Sequence, residues 1–346
     1  MKLTGRLLIL LCLSTCGCVS EMAEMVDGAR VQARIGVMAN TEVEWITGTK
    51  TLEGALRFYK ASKVDAVVIT GKTTKDGYKA QFAVLDQVWK KVFGGTDVQL
   101  ITRDGEYVVK GFDFAVSAAK PIGTRRLLTF HGGEKRALTD ELCYYPREAN
   151  VVCAGSMSGL DIPAGFVGGR SKSHRVDNVC QGLLVSVYSD HKVIRRLDFA
   201  PRGGTVLDVA DPWKVGERLG VERAPEFWDD TRIQVLPGQV GENRVYTVKW
   251  PNVKKCFTGA RARYYEVEAA YATRLNYPFM RKSVLSDGFY LPEDCDAAGV
   301  KCVFPVNDLP ACDASDKMVV FGVTPIGTFG KRGKTFRSEP VPLPVR

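Results

Sequence analysis

Histidine is scarce. Only His131, His174 and His191 occur in 346 residues, too few and too scattered for a centre built mainly of imidazoles. No CxxC pair occurs, which excludes the usual cysteine spacing of a structural zinc site. Long hydrophobic runs are also missing. The longest, Leu7 to Leu13, falls well short of the ~20 residues a membrane helix needs. Basic runs stop at pairs such as Lys90–Lys91 and Arg195–Arg196, so the net charge of +9 is scattered, against a nucleic-acid stripe. Internal repeats and low-complexity tracts are absent.

What is present begins with a leader. "MKLTGRLLILLCLSTCGCVSEM" has Lys2 and Arg6, an apolar run, then small residues around Cys16 and Cys18. That order predicts a secretory signal over residues 1–20, lipoprotein-like, with Cys16 or Cys18 lipidated; a plain signal with incidental cysteines is the alternative. The mature chain is then exported, lipid-anchored in a bacterial cell envelope (periplasm or outer membrane). Export permits disulfides. The cysteines beyond the leader are 143, 153, 180, 256, 295, 302 and 312, an odd number, and the short loop "CDAAGVKC" makes Cys295–Cys302 the first candidate bridge.

From residue 34 strands and helical segments alternate. "RIGVMAN" and "VDAVVITG" read as buried strands. "TLEGALRFYKAS" puts Leu52, Leu56 and Tyr59 on one helical face, and "YKAQFAVLDQVWKKVFGG" does the same for Phe82, Leu85, Val88, Trp89 and Val92. "VQLIT", "RLLTFHGG", a polar helix-like stretch and "ANVVCAG" follow, predicting βαβ units and a largely parallel sheet. "GLLVSVYSDHKVIRRLDF" reads as a hairpin. Beyond a Gly/Pro-rich stretch, short alternating segments such as "VYTVKWP", "RYYEVEAAYA" and "KMVVFGVTPIG" predict an all-β immunoglobulin or fibronectin III-like sandwich. The boundary falls near residue 222, giving units of 30–222 and 223–346.

The sequence of strand ends "MANTE", "GKTTKDG", "TRDG", "FHGG" and "AGSMSGLDIP" resembles the calcineurin-like metallophosphoesterases. The tail resembles the fibronectin-like domain of some exported bacterial members. The resemblance implies a four-layer α/β sandwich with a two-metal site at the strand ends, where paired ions clamp a phosphoryl group and ionise water. The family pattern is D-x-H or D-x-Q, then G-D, then G-N-H-D/E, then a histidine, then G-H-x-H. Carried over residue by residue, Asn40 takes the aspartate's place and Glu42 the His/Gln place. Lys72 falls on the bridging carboxylate, and Arg103 and Asp104 fall near G-N-H-D/E. His131 stands as a remnant ligand, and Ser156 and Ser158 replace both histidines of the last motif.

These replacements imply a degenerate site with no metal and no catalytic residue: a non-catalytic binding or envelope-associated pseudoenzyme. Lys72 and Arg103 become candidates for holding a phosphate, sulfate or carboxylate. The alternative is an active phosphoesterase using two divalent ions (Mn, Fe or Zn) on Asn40, Glu42, Asp104 and His131. A serine elbow at Ser156 or Ser158 would need a helix directly after the serine, whereas Gly159 and Pro163 predict a loop. His174 and His191 are expected in a polar loop and a hairpin turn. The partner class is an unidentified envelope or extracellular ligand, with aromatics in "FWDD" and "ARYYEVEAAY" as contact candidates beside their alternative role as core.

Overall fold

A computed structural model describes residues 30–44, 49–119, 127–145, 150–167, 170–177, 179–199, 205–216, 224–253, 261–286, 289, 299–309 and 317–343. For 162–167 and 170–176 only the backbone is described. The leader, with Cys16 and Cys18, lies outside these residues. Among the described residues no helix is long and apolar enough to cross a membrane.

The apolar run Ile35–Ala39 within β1 (Ala33–Ala39) fits a strand covered on both faces, and in it only Gly36 departs from a hydrophobic side chain. It lies inside a six-stranded sheet ordered β13-β12-β11-β1-β2-β3. Here β2 is Ala66–Thr70, β3 is Gln99–Ile101, β11 is Gln181–Val187, β12 is Lys192–Asp198 and β13 is Leu207–Lys214. β1, β2 and β3 run parallel, and β11 to β13 are antiparallel. The crossovers are α1 (Thr49–Ala61) and α2 (Lys79–Phe93). Leu52, Leu56 and Tyr59 bury as expected. On α2 the buried stripe shifts: Phe82 is 46% exposed while Gln81 is buried. The Gln81 amide is consumed in capping, accepting from Asp76 N–H at 3.0 Å and donating to Asp76 Oδ2 at 2.9 Å, and this turns Phe82 outward.

A second sheet, ordered β4-β5-β6-β8-β7, covers the other face. Its strands are β4 (Gly105–Val109), β5 (Phe112–Ser117), β6 (Leu128–His131), β7 (Tyr144–Tyr145) and β8 (Val151–Cys153). Ile35, Val37, Val68, Leu183 and Val185 meet Phe114, Phe130, Leu128 and Val152 between the sheets. The helices pack on the outer face of the first sheet. The described residues therefore form three layers where four were expected. The polar stretch after β6 is not a helix but one 3₁₀ turn, Glu141–Cys143, and its capping carboxylate Asp140 accepts from Leu142 N–H at 2.9 Å.

Beyond Gly159 the chain does not loop. β9 (Leu160–Val167) and β10 (Arg170–Val176) form a two-stranded ribbon, with His174 inside β10 opposite Ile162. Pro163 is tolerated because a two-stranded ribbon is all edge. β13, unexpectedly, runs through Pro212 at the border of the first sheet.

The rest of the chain is a second core between two sheets. One is β14 (Gln234–Val240), β15 (Asn243–Trp250) and β18 (Val300–Pro305). The other is β17 (Met280–Leu285), β16 (Tyr264–Tyr271), β19 (Met318–Ile326) and β20 (Phe336–Arg337), with β21 (Val341–Pro342) also on β19. Phe304 and Phe321 meet across the core at 5.0 Å between ring centres, and Trp250 packs edge-on against Tyr265 at 5.4 Å. Phe227 of "FWDD" and Tyr265 are core residues, and Trp228 is 55% exposed. Cys302 faces this core as a free thiol. Cys295, its expected bridge partner, lies outside the described residues.

Tyr59 anchors α1 to the first sheet. Its buried hydroxyl donates to backbone carbonyls of Val37 and Leu183, both at 3.0 Å, and its ring lies on Gly36, where a Cβ would come within 2.7 Å. Gly36→Ala is expected to cost about 1–3 kcal/mol through overpacking. Gly54→Ala, in open space on α1, should gain about 0.5–1 kcal/mol from helix propensity. Urea unfolding of the two variants checks this; equal effects would contradict the packing.

Candidate functional site

The two sheets touch at one rim. A Cβ on Gly71, just past β2, would lie 2.6 Å from the carbonyl oxygen of Gly132, just past β6. Gly71 also has φ +67°, a left-handed conformation that glycine adopts without strain. Thr70 Oγ1 donates to the Ser117 carbonyl at 2.8 Å, and Gly132 N–H reaches the same oxygen at 3.3 Å. Across the rim Met157 N–H donates to the Ala39 carbonyl at 2.8 Å. The ends of β1, β2, β5, β6 and β8 thus converge.

Asn40 and Glu42 leave β1 with φ of 49° and 41°. Asn tolerates that conformation; for glutamate it costs roughly 1–2 kcal/mol. The bends aim Asn40 Oδ1 at Lys72 N–H, 3.1 Å away, and bring Glu42 N–H to the Lys72 carbonyl, also at 3.1 Å.

Glu42 Oε1 is 2.9 Å from Lys135 Nζ. The same ammonium donates to Ser158 Oγ at 2.9 Å, and Ser156 Oγ, on a wholly buried residue, lies 3.4 Å from Ser158 Oγ. Burial pushes the Glu42 carboxyl up, but Lys135's hydrogen bond and charge, the Ser158 hydroxyl and the Lys72 charge outweigh it. The carboxyl is held below its ordinary value. The result is a cluster of one carboxylate, one ammonium group and two hydroxyls, with the Lys72 charge acting on the carboxylate as well.

The rim thus gathers Asn40, Glu42, Lys72, Ser156 and Ser158. His131 ends β6 at the same rim, buried, its carbonyl accepting from Ala154 N–H at 2.9 Å. Arg103 and Asp104 are not gathered. They lie in the exposed turn between β3 and β4, where Tyr107 Oη donates to the Arg103 carbonyl at 2.7 Å. His191 sits at the far end of the first sheet, stacked on Tyr188 at 4.4 Å and 2.7 Å from Asp190. Lys135 was missed in the sequence because it belongs to no strand-end motif; the only signal was the charged triplet "EKR" directly after "FHGG".

These residues do not fit a pair of divalent ions. Such ions need hard, anionic donors. Here the Asn40 carbonyl is engaged by a backbone N–H, the one carboxylate is ion-paired to Lys135, and the Lys72 charge acts on that carboxylate too. Among the described residues no three His, Cys, Asp or Glu side chains are grouped to hold a metal ion.

The second sandwich contacts this region. Phe289 packs with Ala137, Leu160 and Val179 in a small buried cluster, and Arg263 lies 3.8 Å from the buried Asp140 carboxylate. The segment 134–143 thus carries Lys135 to the rim and meets the second unit with its other end.

No family matches the chain, and no curated protein does. Among solved structures, a single mutant of Vps29 from Entamoeba histolytica aligns over 54% of this chain and 99% of its own length, with 10% identity and a TM-score of 0.30. Wild-type Vps29 from the same organism, complexed with zinc, aligns over 53% and 98%, with 8% identity and a TM-score of 0.29.

The Glu42 carboxyl, held lower in the folded chain than its ordinary value by Lys135, contributes stability that is present above the ordinary carboxylate range and lost as the pH falls through the folded value. Urea unfolding followed from pH 6 to pH 3 should show a steeper loss in the parent chain than in Glu42→Gln. Parallel curves would contradict the ion pair.

Proposed function

We propose that residues 30–222 form a metallophosphoesterase-like unit whose two-metal site has been replaced by a fixed cation. The protein then acts by binding, not by hydrolysis, and residues 223–346 form a fibronectin III-like sandwich. The reading is carried by one observation: Lys135 Nζ lies 2.9 Å from both Glu42 and Ser158. In the resemblance both positions belong to metal ligands. An ammonium held there supplies positive charge permanently but cannot lower the pKa of a bound water as a metal does. Strand order supports the second part, since β14-β15-β18 against β17-β16-β19-β20 is a Greek-key sandwich arrangement.

The ligand chemistry follows from the cluster's charge. With Lys135 neutralised by Glu42, the exposed Lys72 is, among the described residues, a cation that faces solvent at this rim, and a small oxyanion is the group it suits. Arg103, in its separate turn, is the weaker candidate. An exported, lipid-anchored protein of this kind would present the rim to an envelope or extracellular partner, with no nucleic acid involved. The competing phosphoesterase would have to draw Asp104 in from an exposed turn and free both Asn40 and Glu42 from present partners.

Elemental analysis of the purified chain, with turnover of an aryl phosphomonoester and phosphodiester in added Mn or Zn, separates the readings. The proposal expects less than about 0.1 equivalent of transition metal and no turnover above buffer, since each lost ligand removes metal affinity. Two equivalents with turnover would overturn it.

A further inference from the structure

Four buried cysteines, Cys143, Cys153, Cys180 and Cys302, are free thiols. Two of them are neighbours. β7 and β8 pair antiparallel with Tyr145 opposite Val151 and Tyr144 opposite Val152, so the next pair in register is Cys143 opposite Cys153. Directly opposed residues in an antiparallel pair have Cα atoms about 4.5–5.5 Å apart, inside the range a disulfide spans. The two thiols are close enough to shift each other's pKa. Each sulfur also reaches a backbone carbonyl: Cys143 Sγ is 3.3 Å from Ala137 O, and Cys153 Sγ is 3.6 Å from Glu134 O.

We propose that Cys143 and Cys153 are a redox-active pair that closes to a cross-strand disulfide and thereby modifies the mooring of the Lys135 loop. The hydrogen bond from Cys143 holds the Cys153 thiol below its ordinary range, while that contact and burial push Cys143 well up, so Cys153 is the first thiolate. It attacks one sulfur of a small-molecule disulfide of the glutathione class and expels the other half as a thiol. Cys143 then gives up its proton, attacks the Cys153 sulfur of the mixed disulfide and expels the second half. Two protein thiols are oxidised, one external disulfide is reduced to two thiols, and both protons leave with them.

The bond has a consequence at the rim. As thiols, the two sulfurs lie against the carbonyls of Glu134 and Ala137, which bracket Lys135 and Arg136. Oxidation removes the S–H groups beside these carbonyls. It also ties the 3₁₀ turn to the end of β8, one residue before Ala154 and three before Ser156. The loop that brings the ammonium and the strand that brings the hydroxyls are then linked covalently.

Peptide mapping tests this. The purified chain is equilibrated with oxidised glutathione or with dithiothreitol, unfolded, alkylated without reduction and digested with trypsin. The oxidised sample should yield peptides 137–147 and 148–170 joined by one disulfide, with Tm raised by about 5 °C over the reduced sample. The reduced sample should yield both peptides alkylated. Alkylation of both cysteines in the oxidised sample would overturn the proposal. So would glutathione left on either one, a bridge from either to another cysteine, or a bridged chain whose Tm falls below the reduced one.

Discussion

The structure turns on a backbone contact that no side chain could enter. Gly71 and Gly132 bring the ends of β2 and β6, from two different sheets, to a separation where a Cβ would meet a carbonyl oxygen at 2.6 Å. Had the sheets been spaced by side chains along their whole length, their rims would stand ~10 Å apart. The two bare positions let them close at one end only. Everything gathered there follows: Asn40 and Glu42 from β1, Lys72 from β2, Lys135 from the loop after β6, and Ser156 and Ser158 after β8.

A rim of convergent strand ends collects backbone and side-chain dipoles, and something must balance the half-buried Glu42 carboxylate. A divalent ion would need further anionic donors, and the chain offers hydroxyls, an engaged amide and a second ammonium. Lys135 supplies the balancing charge from within the chain. The loop that carries it is well moored: Leu138 N–H donates to Gln181 at 2.6 Å. The Leu138 carbonyl and Glu141 both take the buried Arg196 guanidinium at 2.9 Å. Arg196 in turn lies over Trp213, whose indole N–H donates to Glu141 at 2.6 Å. A lysine on so fixed a loop is a structural cation, unlike a lysine on a free surface.

Much of the architecture was legible in the residues. β1, β2 and β11 announce themselves by mainly apolar stretches because each is covered on both faces, and the β11–β12 hairpin is framed by a polar turn. β4, β5 and β9 were not seen as strands, since glycine, proline and charge interrupt them and their pairing with neighbours outweighs weak local preference. The candidate site was legible in outline. Strand ends pointed to Asn40, Glu42, Lys72 and Ser156–Ser158, whereas the Arg103–Asp104 turn strayed because β3 is a short border strand. Lys135 could not be read, for its role depends on a loop path fixed by Gln181 and Arg196, residues far along the chain.

The central claim is that an ammonium occupies the place between Glu42 and Ser158. Anomalous diffraction at the zinc edge, from crystals of the chain equilibrated with zinc, tests it most directly. The account predicts Lys135 Nζ bridging Glu42 and Ser158 with no anomalous peak between them. A zinc peak at coordination distance from Glu42, with Lys135 turned away, would contradict it.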